Sequence, residues 1–261
     1  MRLGLVSLDQ MWQDKEVNKA SCQSYLEQAA ADRCELVVYP EMTLTGFSMK
    51  PDAIAEDLSE SSTVHWFANQ AAQNGVAVAF GVVLRHNSSY TNNLVVVDRT
   101  GSVLERYAKI HPFSFSGENH WYVAGDRLAT AVVRSVTIGL TICYDLRFPE
   151  LYQALADRSR AILCIANWPA SRVDHWRTLL KARAIETQAY VVGVNRTGAD
   201  PVGNSYERST EVYGPSGEAV RPVTTHGDLD VVDISIGEAD RIRAAFPVRN
   251  DRRKQLYGTF L

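Results

Sequence analysis

Val136-Thr137-Ile138-Gly139-Leu140-Thr141-Ile142 runs directly into Cys143-Tyr144-Asp145-Leu146-Arg147-Phe148-Pro149-Glu150, and the fold turns on how this stretch is read. The first segment is apolar and of strand length, so it reads as a buried strand with a cysteine at its end. In α/β proteins the carboxyl ends of strands face the crevice where ligands bind. Phe148-Pro149-Glu150 has the look of a helix opening, because proline is favoured at the first helical position. The N–H groups and dipole of such a helix would lower a thiol's pKa and could hold a developing oxyanion, so the position suits a nucleophile. A buried structural cysteine is the alternative that the local residues leave open.

Two further segments have the same form. Leu36-Val37-Val38-Tyr39 ends in Pro40-Glu41, and the run 103–108 ends in Lys109-Ile110-His111-Pro112. Three strand ends thus offer a carboxylate, an ammonium and a thiol, the base, charge stabiliser and nucleophile of a hydrolase. A Cys–His pairing of Cys143 with His111 or His175 is a second way to activate the same thiol.

With 261 residues the chain is long enough for one large α/β domain over 1–261. The net charge is −3, and the cationic residues are spread out except in Arg249-Asn250-Asp251-Arg252-Arg253-Lys254. That pattern is no nucleic-acid footprint; the basic run reads as a solvated tail or a subunit contact. No apolar run reaches membrane-spanning length, and the N-terminal apolar run 1–8, broken by Asp9, is too short for a signal-peptide core. The four cysteines, Cys22, Cys34, Cys143 and Cys164, show no C-x-x-C pairing, as expected of reduced thiols in a cytoplasm. The histidines lack zinc-ligand spacing and there is no G-x-G-x-x-G, so neither a metal nor a nucleotide cofactor is expected.

Periodicity predicts a helix over 15–31, a helix running to Asn74 with capping hydroxyls offered by Ser61-Ser62-Thr63 and Gly75 as its end, and strands over 76–84 and 93–98 joined by a polar turn. The stretch 111–126 loses periodicity and reads as an ordered, aromatic-rich loop. Helices over 148–157 and 172–189 then alternate with strands over 161–166 and 190–195. The pattern supports an α/β fold with mixed strands.

Glu41 in Pro40-Glu41-Met42-Thr43-Leu44-Thr45-Gly46-Phe47, Lys109 before His111-Pro112-Phe113, and Cys143 before Tyr144-Asp145-Leu146-Arg147-Phe148-Pro149 resemble the Glu-Lys-Cys set of the nitrilase superfamily of carbon–nitrogen hydrolases. The similarity continues through Asn167-Trp168-Pro169-Ala170 and Lys181-Ala182-Arg183-Ala184-Ile185-Glu186 to Tyr190-Val191-Val192-Gly193-Val194-Asn195-Arg196, and is nearest to the ω-amidase branch. The resemblance implies a four-layer α-β-β-α sandwich, a homodimer, and hydrolysis of the terminal amide of a small carboxylic or 2-oxo acid through a thioester. It makes Glu41 the base, Lys109 the oxyanion stabiliser, Cys143 the nucleophile and Glu118 a second glutamate near Lys109. Arg147 and Arg172, just after strand ends, are candidates for binding a substrate carboxylate, although Arg147 could instead pair with the neighbouring Asp145. Phe47, Phe115, Tyr144 and Trp168 are candidate pocket walls. Tyr206-Glu207-Arg208-Ser209-Thr210 departs from the Gly-Asp-Ser or His-Ser group of many relatives. An N-carbamoyl amino acid hydrolase, a general short-chain amidase and a non-catalytic interaction protein are the competing expectations.

Overall fold

A computed structural model of the chain describes residues 1–258. In chain order its first half holds β1 (Arg2–Val6), α1 (Lys15–Ala31), β2 (Leu36–Val38), α2 (Pro51–Ile54), β3 (Glu56–Asp57), α3 (Ser62–Asn74), β4 (Ala77–His86), β5 (Ser89–Val97) and β6 (Val103–Ala108). The middle holds β7 (Thr130–Val133), β8 (Val136–Ile142), α4 (Pro149–Leu155), β9 (Ala161–Ala166), α5 (Val173–Thr187) and β10 (Tyr190–Asn195). Short strands β11 (Gly198–Ala199), β12 (Ser205–Tyr206), β13 (Glu211–Tyr213), β14 (Ala219–Val220) and β15 (Thr224–His226) lead to β16 (Leu229–Asp233), α6 (Ile236–Ala245) and α7 (Lys254–Tyr257).

The strands form two main sheets. One has the order β15-β16-β1-β2-β4-β5-β6 with β3 added on β4, and the other has β14-β13-β10-β9-β8-β7. Alternate residues of each central strand serve different layers. Leu36 and Val38 of β2 meet Leu163 and Ile165 of β9 between the sheets, whereas Val37 packs outward with Leu26 of α1 and Phe67 of α3. In the second sheet Ile162 and Cys164 face outward onto Leu151 and Leu155 of α4 and Trp176 and Leu180 of α5. The result is helices, sheet, sheet, helices: the four-layer sandwich implied by the resemblance. Strands buried on both faces have no polar side to show, which is why β2 and β9 are unbroken apolar runs.

Local signals place the elements well. Asp14 caps α1 by accepting from the Val17 N–H, and Ser61 does the same for α3 at Val64. Gly75 ends α3 in the left-handed conformation at φ +66°. Asn18, Cys22, Leu26 and Ala29 form the inner face of α1, and Val17 is exposed. Asn18 is buried because its side chain bonds Met11 and Leu44 main-chain groups, tying the helix start to the Glu41 turn.

Parallel pairing aligns the functional ends. β1, β2 and β4 run parallel, as do β8, β9 and β10, and β6 returns to the direction of β4 through two antiparallel steps. Glu41, Lys109, Cys143 and Asn167 therefore each follow the carboxyl end of a strand. Close approach fixes the Glu41 turn: Gly81 N–H donates to Thr43 Oγ1 at 2.8 Å, and a Cβ on Gly81 would lie 2.2 Å from Met42 N and 2.8 Å from Glu41 Cα. Gly81→Ala is expected to lower stability by about 2 kcal/mol through overpacking. Because the displaced segment carries Glu41, turnover should also drop by about 100-fold, the scale of an ångström misplacement. Thermal unfolding and turnover of the variant check both, and unchanged turnover would refute the coupling.

Candidate active site

Glu41, Lys109 and Glu118 are almost completely removed from solvent. Lys109 Nζ lies 3.0 Å from Glu41 Oε1 and 2.8 Å from Glu118 Oε2, so one ammonium is clamped between two carboxylates. Burial on its own would drive Lys109 towards the neutral amine; the charges of Glu118 and Glu41 outweigh it and hold the pKa well above the ordinary lysine value. Lys109 is thus a fixed cation. Glu118 comes from the expected loop, in a short 3₁₀ turn, and its Oε2 also accepts the Phe113 N–H at 2.5 Å.

Glu41 is held as firmly. Its Oε2 accepts the Asn167 N–H at 2.9 Å, its Oε1 accepts Asn92 Nδ2 at 2.7 Å, and its main-chain oxygen accepts Asn167 Nδ2 and Gln10 Nε2. Met42, the next residue, has φ +47°, a left-handed conformation costly for a side chain of its size. Cys143 has φ +48° and starts a 3₁₀ turn, Cys143–Arg147, at the end of β8. Both turns carry a strained residue that the surrounding bonds hold in place.

The anchor of the cysteine turn is Asp145. Its buried carboxylate accepts the Ile142 N–H at 2.9 Å and Tyr107 OH at 2.8 Å through Oδ2, while Oδ1 meets the His111 N–H at 3.1 Å and ring Nδ1 at 2.8 Å. The turn is thereby tied to β6 and to the segment after Lys109. An Asp145–Arg147 pair is not formed, because Asp145 points inward to these partners. His111 is stacked on Phe148, and His175 is exposed with Nδ1 3.4 Å from Arg147 Nη2.

The expected low thiol pKa is also corrected. Helix α4 starts only at Pro149, one 3₁₀ turn beyond the sulfur. Burial pushes the Cys143 thiol well up, the Glu41 charge pushes it further, and Lys109 opposes only in part. The strongest charges acting on the sulfur are those of Glu41 and Lys109, not of a histidine.

Cys143 opens into a pocket lined by Phe47, Tyr144, Arg147, Trp168, Arg172 and Tyr206, with Phe115 at its exposed edge. The structure therefore brings every residue expected at the site to one place. Arg147 lies over the Trp168 ring at 4.8 Å and Arg172 over Phe113 at 5.6 Å, and neither forms an ion pair among the described residues. The divergent segment supplies a wall: the Tyr206 ring sits 4.6 Å from the buried Arg196 guanidinium, and its hydroxyl donates to Asp200 Oδ2 at 2.8 Å. Asn92, Asp145 and Tyr206 are site residues that the sequence does not single out: Asn92 stands beside a second asparagine, Asn93, just ahead of the expected strand.

Paired strand ends, a clamped lysine and a cysteine on a strained turn define a thiol hydrolase. A carbon–nitrogen hydrolase family model matches residues 2–244, and the chain belongs to that family. It is 33% identical to the ω-amidase YafV of Yersinia enterocolitica, over 98% of each chain, and 31% identical to the 2-oxoglutaramate amidase of Bacillus subtilis, over 85% of this chain and 86% of that one. The crystal structure of XC1258 from Xanthomonas campestris, a CN-hydrolase superfamily protein with an arsenic adduct in its active site, superposes with a TM-score of 0.89 at 32% identity, covering 97% of both chains. These relatives place the chain in the ω-amidase branch, as its motifs suggested, and the enzyme hydrolyses carbon–nitrogen bonds of amides.

Thiolate absorbance, taken as the difference between the wild type and Cys143→Ala during a pH titration, should rise only above the free-cysteine value of about 8.5. Replacing Glu41 by glutamine removes a negative charge and should move that rise to lower pH. A wild-type thiolate already formed at neutral pH would refute the assignment.

Proposed function

We propose that the chain hydrolyses the terminal amide of a small 2-oxo acid, 2-oxoglutaramate or a close analogue, releasing ammonia through a Cys143 thioester. The observation that carries this reading is the pocket's lining: it holds Cys143 together with two guanidinium groups, Arg147 and Arg172, that have no carboxylate partner among the described residues. A substrate with an amide at one end and a carboxylate at the other satisfies both. The ω-amidase and 2-oxoglutaramate amidase names of its relatives point the same way.

In this mechanism Glu41 takes the proton as Cys143 sulfur attacks the amide carbonyl. Lys109 and the Tyr144 N–H stabilise the oxyanion, a role that a permanently charged, pre-oriented lysine suits. Collapse of the tetrahedral intermediate breaks the C–N bond, and the proton on Glu41 leaves with ammonia. Water, deprotonated by the same carboxylate, then attacks the thioester, freeing the acid and restoring the thiol. Glu118 fixes Lys109, and Phe47, Phe115 and Trp168 shape the pocket. One catalytic domain over 1–261 is proposed, acting as a cytoplasmic homodimer; four cysteines outside any disulfide support a reducing compartment.

Ammonia release from 2-oxoglutaramate by purified protein should be rapid, and lost in Cys143→Ala, Glu41→Gln and Lys109→Ala. Faster turnover of an N-carbamoyl amino acid would replace the ω-amidase reading with the carbamoylase one. Arg147→Met and Arg172→Met should raise KM by about 10-fold or more, the worth of a charge-assisted contact, with kcat changed far less. Unchanged KM in both variants would remove the arginines from substrate binding.

A further inference from the structure

Asn92 touches all three charged members of the site. Its side-chain Nδ2 donates to Glu41 Oε1 at 2.7 Å and to Glu118 Oε1 at 3.1 Å, and its main-chain oxygen accepts the Lys109 N–H at 2.8 Å. The residue is buried, on β5 next to β6, and its Oδ1 has no hydrogen-bond partner among the described residues. A flipped amide would press that oxygen against two carboxylate oxygens, so electrostatics fixes the orientation with the NH₂ group between the glutamates. An orphaned buried acceptor is unfavourable, so the donor side of this amide has a use that outweighs it.

The use follows from how the Glu41 oxygens are occupied. Oε1 accepts from both Lys109 Nζ and Asn92 Nδ2; Oε2 accepts only the Asn167 N–H among the described residues. A carboxylate oxygen already serving two donors, one of them charged, is a poor proton acceptor. We propose that Asn92 is a positioning residue that saturates Oε1 and so directs the Cys143 proton to Oε2 of Glu41. In the acylation step the S–H bond breaks, the O–H bond forms at Oε2, and the sulfur electron pair makes the bond to the carbonyl carbon. The same amide lies between the two glutamates and donates to each. The proposal rests on Glu41 being the base.

Asn92→Leu tests it, since leucine matches the shape of asparagine and lacks the donor, while the main-chain bond to Lys109 is retained. The titratable groups around Glu41 are Lys109, Glu118, Cys143 and Tyr122, and none is altered. Loss of a donor to the ionised carboxylate makes that form harder to keep, so the acid limb of the kcat/KM profile should move to higher pH by about one unit, and kcat should fall by about 10- to 100-fold. KM should stay within about threefold, because Asn92 does not line the pocket. Asn92→Ala, which leaves a cavity, should show the same acid-limb shift and serves if the leucine variant does not fold. A wild-type acid limb and kcat in a folded variant would overturn the proposal. Glu41→Gln measured in parallel separates the failures: if it stays active, the base assignment is wrong, and if it is inactive while Asn92→Leu is normal, only the role of Asn92 is lost.

Discussion

Everything at this site depends on one buried ammonium held between two buried carboxylates. Removing three charges from water costs several kcal/mol for each ion, and mutual attraction repays it only when geometry is tight and the remaining oxygens are hydrogen-bonded. The structure meets that condition with neutral donors: Asn92 Nδ2 and the main-chain N–H groups of Asn167 and Phe113. These donors come from β5, from the end of β9 and from the loop after Lys109, so the charge cluster holds together only when both sheets are assembled. Fold and site are therefore one construction.

The second constraint is the strained cysteine turn. A residue at φ +48° is held there by bonds on either side, and Asp145 supplies them by gathering Ile142, Tyr107 and His111 onto one carboxylate. Tyr107 belongs to β6, two residues before Lys109, so the same strand that delivers the cation also sets the turn that carries the sulfur. Alternation along the strand makes this possible, because residues two apart lie on the same face. Cys143 and Lys109 are thus positioned relative to each other through a single short segment.

Much of this was legible in the sequence. Strands buried on both faces, such as β2 and β9, write themselves as unbroken apolar runs; an ionisable residue just past a strand end marks Glu41, Lys109 and Cys143, although β6 carries Glu105 and Arg106 within it, and the hydroxyls of Ser61-Ser62-Thr63 and Gly75 bracket α3. What escaped was whatever depends on distant partners. Asn92 looked like any polar residue near a hairpin, and Asp145 looked like a partner for Arg147, because the sequence does not reveal that Tyr107 and His111 converge on it. The four-layer arrangement came from family resemblance, since period-two and period-3.6 patterns say which faces are apolar but not which sheet covers which.

The thiol's direction of shift was misjudged for the same reason, and the correction bears on chemistry. Local sequence offered a helix start, which favours thiolate, whereas the tertiary structure surrounds the sulfur with two carboxylates and one ammonium. Losing the thiol proton to solvent would leave this buried set with one more negative charge, which burial penalises. Passing the proton to Glu41 moves a negative charge from oxygen to sulfur and leaves the total unchanged. The environment that disfavours a standing thiolate therefore does not disfavour internal transfer to the same degree, and it reserves strong nucleophilicity for the moment when a carbonyl is in place to receive the electron pair. In the proposed mechanism a clamped lysine matters most at that moment, when negative charge appears on the substrate oxygen beside a cation that needs no reorientation.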